Sequence, residues 1–302
     1  MQYPSYLDLS QEELKNRCDV MLEGLKNCKV CPRHCQVDRT VNRIGECCTG
    51  RQAMVASAQL HFGEEPEISG RNGSGTIFFT YCNLHCQFCQ NYDISQQGYG
   101  TPVTPEELAA MMLKLQRSGA HNINLVTPSH VIPQILEAIS LAIPKGLRLP
   151  LVYNSGGYDD LQTLLLLEGI IDIYMPDFKT LSPQFARDYL KAEDYPLVVI
   201  QALLEMHRQT GLLKTSESGV AQRGLLIRHL VMPGNLEDTA QILHWIADRL
   251  SPRTSVNVMG QYHPAYRAGQ HPHLLASLTV KEHRRAMELK RRILSPSFEK
   301  LK

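Results

Sequence analysis

Cys82, Cys86 and Cys89 stand in the run Cys82-Asn-Leu-His-Cys86-Gln-Phe-Cys89, directly after the apolar stretch Thr76-Ile-Phe-Phe-Thr-Tyr81. Thiolates are the ligands of iron–sulfur clusters, and a cubane has four irons, so three closely spaced cysteines hold three corners and leave one iron bare. Catalytic zinc follows the same logic, because structural sites are closed whereas catalytic ones keep a coordination position free. The triad therefore reads as a catalytic metal site whose open corner is left for a ligand from outside the protein. A structural zinc knot would use the same residue types but needs a fourth ligand nearby.

A second group lies upstream. Cys28-Lys-Val-Cys31-Pro-Arg-His-Cys35 is followed by Gly45-Glu-Cys47-Cys48, so Cys28, Cys31, Cys35 and Cys47 can converge after one chain reversal. Four thiolates suit a structural zinc ion or a fully ligated iron–sulfur cluster equally, and spacing does not separate them. A cluster there would be placed to relay electrons; buried thiols without metal are the plain alternative. Cys47 is preferred to Cys48 because Gly45 gives a free turn two residues before it. Cys18 falls on one helical stripe with Leu14, Met21, Leu22 and Leu25, behind a Ser10–Glu13 capping box, and reads as core.

Composition narrows the class. The 302 residues carry 31 basic and 30 acidic side chains, so electrostatics gives no reason to expect a nucleic-acid or anionic-membrane partner. No stretch approaches the ~20 apolar residues that span a bilayer, and the sequence opens Met1-Gln-Tyr-Pro without leader features. A cytoplasmic, reducing setting is expected, in which nine cysteines stay available as ligands.

Chemistry of this kind needs a scaffold. After residue 75 short apolar strands alternate with capped amphipathic helices, a rhythm that predicts parallel strands with right-handed crossovers. Strands are predicted near 76–81, 121–126, 149–153, 171–176, 225–231 and 255–259, and helices near 104–118, 130–142, 159–168, 182–192, 196–210 and 238–250. Thr104–Glu107 and Thr279–Glu282 are capping boxes, the second opening a last helix with a basic run read as a solvated face. Six βα units are too few to close an eight-stranded barrel. The expectation is a partial (β/α)6 barrel over 73–302, preceded by a helix and cysteine-rich metal-binding module over 1–72. Its strand ends carry Thr127-Pro-Ser-His130, Tyr153-Asn-Ser-Gly-Gly157, Met175-Pro-Asp-Phe-Lys179, Arg228-His-Leu and Gly260-Gln-Tyr-His263, polar groups and glycines suited to a zwitterionic, ribose-bearing cofactor. The acidic stretch Glu64-Glu-Pro-Glu67 reads as a solvated turn, with a cover over the cluster side of the barrel as the alternative.

The triad's spacing resembles that of the radical S-adenosylmethionine superfamily. Beyond it, Cys31-Pro-Arg-x-Cys35, His61-Phe-Gly-Glu-Glu-Pro66, Gly73–Phe79, Asn122–Pro128 and Arg228-His-Leu-Val resemble the pyruvate formate-lyase activating enzyme-like iron–sulfur proteins, over roughly residues 28–265. That resemblance implies a 4Fe–4S cluster on Cys82, Cys86 and Cys89, and Phe88 near the adenine of S-adenosylmethionine. It implies Asp177 and Lys179 at the methionyl end, Asn154 and Ser155 near ribose and carboxylate, and His263 near the cofactor. Arg228 reads either as a buried paired charge or as a group reaching the cavity. One departure stands out: the activating enzymes' Gly-Gly-Glu-type motif after the second strand is replaced by Thr127-Pro-Ser129-His130, which leaves the Thr127 or Ser129 hydroxyls, or backbone carbonyls, to accept the amino group's hydrogen bonds.

Three functions follow. The first is a radical oxidoreductase that takes hydrogen from a glycine of a partner glycyl radical enzyme. The second is a radical enzyme acting on a small molecule or peptide. The third is a non-catalytic iron–sulfur or zinc carrier or scaffold. Either enzymatic reading requires an electron donor of the flavodoxin or ferredoxin kind.

Overall fold

The computed structural model describes residues 3–41 and 43–295, so residues 1–2, 42 and 296–302 of the two predicted domains lie outside the described residues. Nine strands form the sheet: β1 (Ala53–His61), β2 (Ser74–Phe79), β3 (Thr101–Val103), β4 (Ile123–Val126), β5 (Leu151–Asn154), β6 (Ile173–Tyr174), β7 (Lys214–Thr215), β8 (Ala221–Leu230) and β9 (Ser255–Met259). Six of them, β2, β4, β5, β6, β8 and β9, pair side by side and parallel in chain order. They are the six strands of the predicted partial barrel, and their like ends bring distant rims together.

The fourth strand is shorter than its predicted span. Pro176 has no N–H to continue the ladder, so β6 stops at Tyr174, and pairing resumes only as an isolated bridge between Asp177 and Arg228. Sequence reading missed β1, β3 and β7, which all pair antiparallel at the flanks. In β1, Ala53-Met-Val-Ala-Ser-Ala-Gln-Leu-His61 is poor in β-branched residues and its register slips between Val55 and Ser57, so no clean alternation survives to be read.

The helices are α1 (Gln11–Glu23), α2 (Pro66–Ser69), α3 (Tyr92–Ser95), α4 (Pro105–Arg117), α5 (Ile132–Ala142), α6 (Leu161–Leu166), α7 (Pro183–Phe185), α8 (Tyr195–Thr210), α9 (Leu236–Arg249) and α10 (Val280–Ile293). Both Thr-x-x-Glu boxes form reciprocally, at Thr104 with Glu107 and at Thr279 with Glu282. Ser10 accepts the Glu13 N–H, whereas the Glu13 carboxylate pairs with Arg17, so only half of that box closes. The predicted helix 182–192 divides: after α7 the chain makes a π-helical turn over Ala186–Leu190, ended by Lys191 at φ 58°. Among the described residues no helix is long and apolar enough to cross a membrane.

One core runs through the molecule. Leu14, Cys18 and Met21 of α1 are buried in it together with Ile135, Leu136 and Ile139 of α5, against which α1 packs. Each such fully buried aliphatic chain contributes about 1.5–3 kcal/mol. The Ser5 N–H donates to Asp172 (2.8 Å) and Tyr6 Oη to the Leu149 carbonyl (2.8 Å), tying the N-terminal segment to the strands. The basic run of α10 is exposed apart from the half-buried Lys290.

Gly157 joins the ends of β5 and β6. Its φ is +77°, and a Cβ there would lie 2.2 Å from the Asp177 carbonyl oxygen and 2.9 Å from Val199. Left-handed strain and overpacking then add, so Gly157→Ala should lower stability by about 2–4 kcal/mol, read from denaturant unfolding. A variant as stable as the parent would show that this close approach is not needed.

Candidate active site

The triad loop leaves β2 through Tyr81, whose φ of +67° turns the chain toward the barrel mouth. It is then pinned by backbone bonds from elsewhere: His85 N–H to the Leu190 carbonyl (3.1 Å), Gln87 N–H to the Tyr189 carbonyl (2.8 Å) and Arg267 N–H to the Gln87 carbonyl (3.0 Å). The π-helical turn thus supplies two of the loop's acceptors. Within the loop, the Leu84 N–H donates to Cys82 Sγ (3.4 Å), and Cys89 Sγ lies 3.1 Å from Ser95 Oγ. Burial pushes the Cys82 and Cys86 thiols up to about 12, although Lys179 pulls both back. Ligands of this kind release protons when metal binds.

All three cysteines line a cavity of about 250 Å³. Phe88, Thr127, Asn154, Ser155, Asp177, Lys179 and Arg228 line the same cavity, from the ends of five different strands and their loops. His263 does not: it is exposed beside the mouth, with Nδ1 3.2 Å from Nε2 of the lining residue Gln90. Ser129 is also outside the lining, its hydroxyl taken up by Asp159. Thr127 therefore remains of the two hydroxyls expected at this rim. Its φ is +61°, a rare conformation for a β-branched residue, held while its N–H donates to the Asn154 carbonyl (2.8 Å). The Ser155 hydroxyl donates to Asp159 (2.6 Å), whereas among the described residues the Asn154 amide has no hydrogen-bond partner and is free to serve the cavity.

Charge is organised around Asp177. Its Oδ2 accepts Lys179 Nζ at 2.6 Å and its Oδ1 accepts Arg228 Nε at 2.9 Å. Desolvation works to raise this carboxyl, yet Arg228 and Lys179 outweigh it and hold the pKa below the ordinary carboxylate value. Lys179 is held up in turn, Asp177 overcoming the cost of its own burial. Arg228 thus satisfies both of its readings, as a paired charge and as a cavity group.

The solvated turn expected at Glu64–Glu67 is not found. Glu64 and Glu65 are both largely buried: Glu64 Oε2 lies 3.9 Å from Arg228 Nη1, and Glu65 Oε1 accepts Asn257 Nδ2 of β9 (3.0 Å). Burial raises the Glu64 carboxyl in spite of Arg228. Glu64 also has a local partner in His61, with Nδ1 3.2 Å from Oε1, but the contacts with Arg228 and Asn257 come from across the barrel and leave no local pattern. A larger open cleft of about 500 Å³ lies at the start of β9, lined by Glu65, Thr254 and Lys290 among others, and contains no cysteine.

In the upstream group Cys28, Cys31 and Cys47 are buried, Cys35 is half-buried and Cys48 is exposed. Desolvation raises Cys31, and Cys47, Cys28 and Cys35 are near enough to raise it further. Among the described residues no three His, Cys, Asp or Glu side chains gather around one point as a single ion requires.

A family model for the radical SAM superfamily matches residues 76–246. An uncharacterized protein of Methanocaldococcus jannaschii, MJ0674, is 33% identical over 296 residues, which cover 95% of this chain and 78% of that protein. The chain belongs to the radical SAM superfamily, which uses a 4Fe–4S cluster and S-adenosylmethionine. The cavity fits both: three thiols without a competing histidine, two cations to offset cluster and carboxylate charge, and a free amide.

Asp177→Asn would leave Lys179 and Arg228 without their counter-charge. A cost of about 2–4 kcal/mol is expected near neutral pH, below the full value for a dry buried pair because the cavity admits solvent. The Asp177 pKa is depressed on folding, so its contribution is present above the ordinary carboxylate value of about 3.9 and lost as pH falls through the folded value. Denaturant unfolding should therefore show the gap between parent and variant narrowing below about pH 4, whereas a gap independent of pH would rule this pairing out.

Proposed function

We propose that this radical SAM enzyme binds S-adenosylmethionine with its methionyl end toward Lys179, Asp177 and Arg228 and its adenine toward Phe88, and abstracts hydrogen from a glycine of a partner glycyl radical enzyme. The observation that carries the reading is the convergence of the triad with Phe88, Thr127, Asn154, Ser155, Asp177 and Lys179 on one cavity. When bound, the cluster supplies the electron that splits the sulfonium to a 5′-deoxyadenosyl radical. The chain's own residues bind and shield. Lys179 and Arg228 receive the carboxylate; Thr127 and the Asn154 amide supply hydrogen bonds to the amino group and ribose; Phe88, packed on Phe185 and Tyr262 at ring distances of 6.1 and 6.0 Å, offers an apolar wall. We read residues 1–72 as a cysteine-rich module on the barrel, and a reduced flavodoxin or ferredoxin in a reducing compartment as the electron source.

A second reading, a small-molecule or peptide substrate, is favoured by Glu64 and Glu65. They reach Arg228 and Asn257 of the last two strands and so narrow the lateral gap through which a protein segment would enter.

Anaerobic, reduced protein should convert S-adenosylmethionine to 5′-deoxyadenosine, and Cys82→Ala, Cys86→Ala or Cys89→Ala should abolish the conversion. Lys179→Met should weaken cofactor binding by about 1.5–3 kcal/mol, roughly tenfold to a hundredfold, by isothermal titration. Absence of 5′-deoxyadenosine from cluster-loaded parent protein would leave only the carrier or scaffold reading. Electron paramagnetic resonance with a candidate partner separates the substrates: a glycyl radical signal supports the first, and consumption of a small molecule without that signal supports the second.

A further inference from the structure

Arg39 is 1% exposed, and among the described residues no carboxylate pairs with it. Its guanidinium donates to the Gly50 carbonyl (3.1 and 3.2 Å) and the His130 carbonyl (2.9 Å), and Nη1 lies 3.7 Å from Cys28 Sγ. Carbonyl oxygens satisfy its protons but not its charge, and a buried cation without an anion is strongly disfavoured. Cys28 touches the guanidinium, and Cys47 is close enough to feel its charge. Beside Cys28, the buried Cys31 and Cys47 and the half-buried Cys35 belong to the same neighbourhood.

The chain is shaped to bring these thiols together. A Cβ on Gly45 would lie 2.6 Å from Cys35 Sγ, so only glycine lets the 45–47 turn pack on the 28–35 segment. The next residue, Glu46, donates its N–H to Cys35 Sγ (3.4 Å), the same kind of bond that Leu84 makes to Cys82 in the triad. The Cys28 N–H donates to the Val37 carbonyl (3.0 Å) and the Gln36 N–H to the Cys28 carbonyl (2.9 Å), closing the first segment. The group also abuts the triad loop: Arg33 Nε donates to the Asn83 carbonyl (2.8 Å), and Glu46 Oε2 lies 3.2 Å from His85 Nε2.

We infer that Cys28, Cys31, Cys35 and Cys47 hold a second iron–sulfur cluster, fully ligated by protein, and that Arg39 is its built-in counter-charge. Four thiolates make such a cluster anionic, so the guanidinium finds its partner when the cluster is bound. This inference does not depend on which substrate the enzyme takes.

The test is anaerobic reconstitution of the full chain, with iron, sulfide and zinc analysis and Mössbauer spectra. The parent should bind two clusters. A Cys82→Ala, Cys86→Ala, Cys89→Ala triple variant should keep about half of the iron and sulfide, and Cys31→Ser or Cys47→Ser should lose the other half. In the triple-variant background Arg39→Met should make the remaining cluster's midpoint potential more negative, because a reduced cluster carries more negative charge, and Arg39→Lys should move it back toward the parent. A folded triple variant without iron, zinc in place of iron, or a potential unmoved by Arg39→Met would overturn the inference. If the triple variant does not fold, equal iron in the parent and in Cys31→Ser would overturn it as well. Failure of the radical reading is a separate outcome: no 5′-deoxyadenosine from parent protein with an intact triad cluster.

Discussion

A cluster can keep one iron open only if the protein around it withholds a fourth ligand. The cavity contains one carboxylate, Asp177, and both of its oxygens are engaged, one by Lys179 and the other by Arg228. Held below its ordinary pKa, it is an anion occupied on both sides. The Ser95 hydroxyl is engaged by Cys89, and the Ser155 hydroxyl by Asp159. Among the described lining residues the Thr127 hydroxyl and the Asn91 and Asn154 amides carry no side-chain hydrogen bond, and neutral groups of this kind are weak ligands for iron. In the proposed function the ion-paired floor does two things at once: it presents cations to an incoming carboxylate, and it keeps its own carboxylate from occupying the open corner.

That floor exists because of a broken strand. Pro176 stops β6 after two residues, and the chain then runs Asp177-Phe-Lys179 across the mouth instead of continuing the ladder. Tyr195 fixes the path: its hydroxyl accepts the Lys179 N–H (3.0 Å) and lies 2.9 Å from the Asp177 carbonyl and 3.0 Å from the Gly156 carbonyl. The π-helical turn at Ala186–Leu190 serves the triad loop in the same manner, with the carbonyls of its last two residues, Tyr189 and Leu190, which a helix end leaves free. Both irregular stretches lie beside the site they serve.

The legible parts of this molecule were the local ones. Three ligands within one loop, six apolar stretches with capped helices between them, and polar residues at strand ends can all be read along the chain. Thr127, Asn154, Asp177 and Lys179 stood out because a parallel barrel puts every strand's end on one face, whereas Phe88 came from the family resemblance alone. Glu64 and Glu65 were not, since their burial comes from residues of β8 and β9 far along the chain, and an acidic stretch ending in proline otherwise reads as a turn. His263 shows the opposite error: it follows the last strand, but the chain carries it past the rim to the surface. β1 escaped because its pairing, not its composition, makes it a strand.

Thr127 bears on how this chain departs from the activating enzymes it resembles. A φ of +61° is the conformation in which glycine is at ease, and the resembling motif has glycines in this region. The backbone thus follows a path suited to glycine while carrying a β-branched side chain, and such strain persists only where the surroundings over-determine it. Here they do: the Thr127 N–H is bonded to the Asn154 carbonyl, and the Val131 N–H to the Pro128 carbonyl (2.9 Å) closes the following turn. The glutamate of that motif has no counterpart at this rim. Glu64 approaches the same cavity from the opposite side through Arg228, with its carboxyl raised by burial. The site thus retains two cations against one firmly ionised carboxylate, a balance that favours an anionic cluster and a carboxylate-bearing cofactor over a cationic ligand.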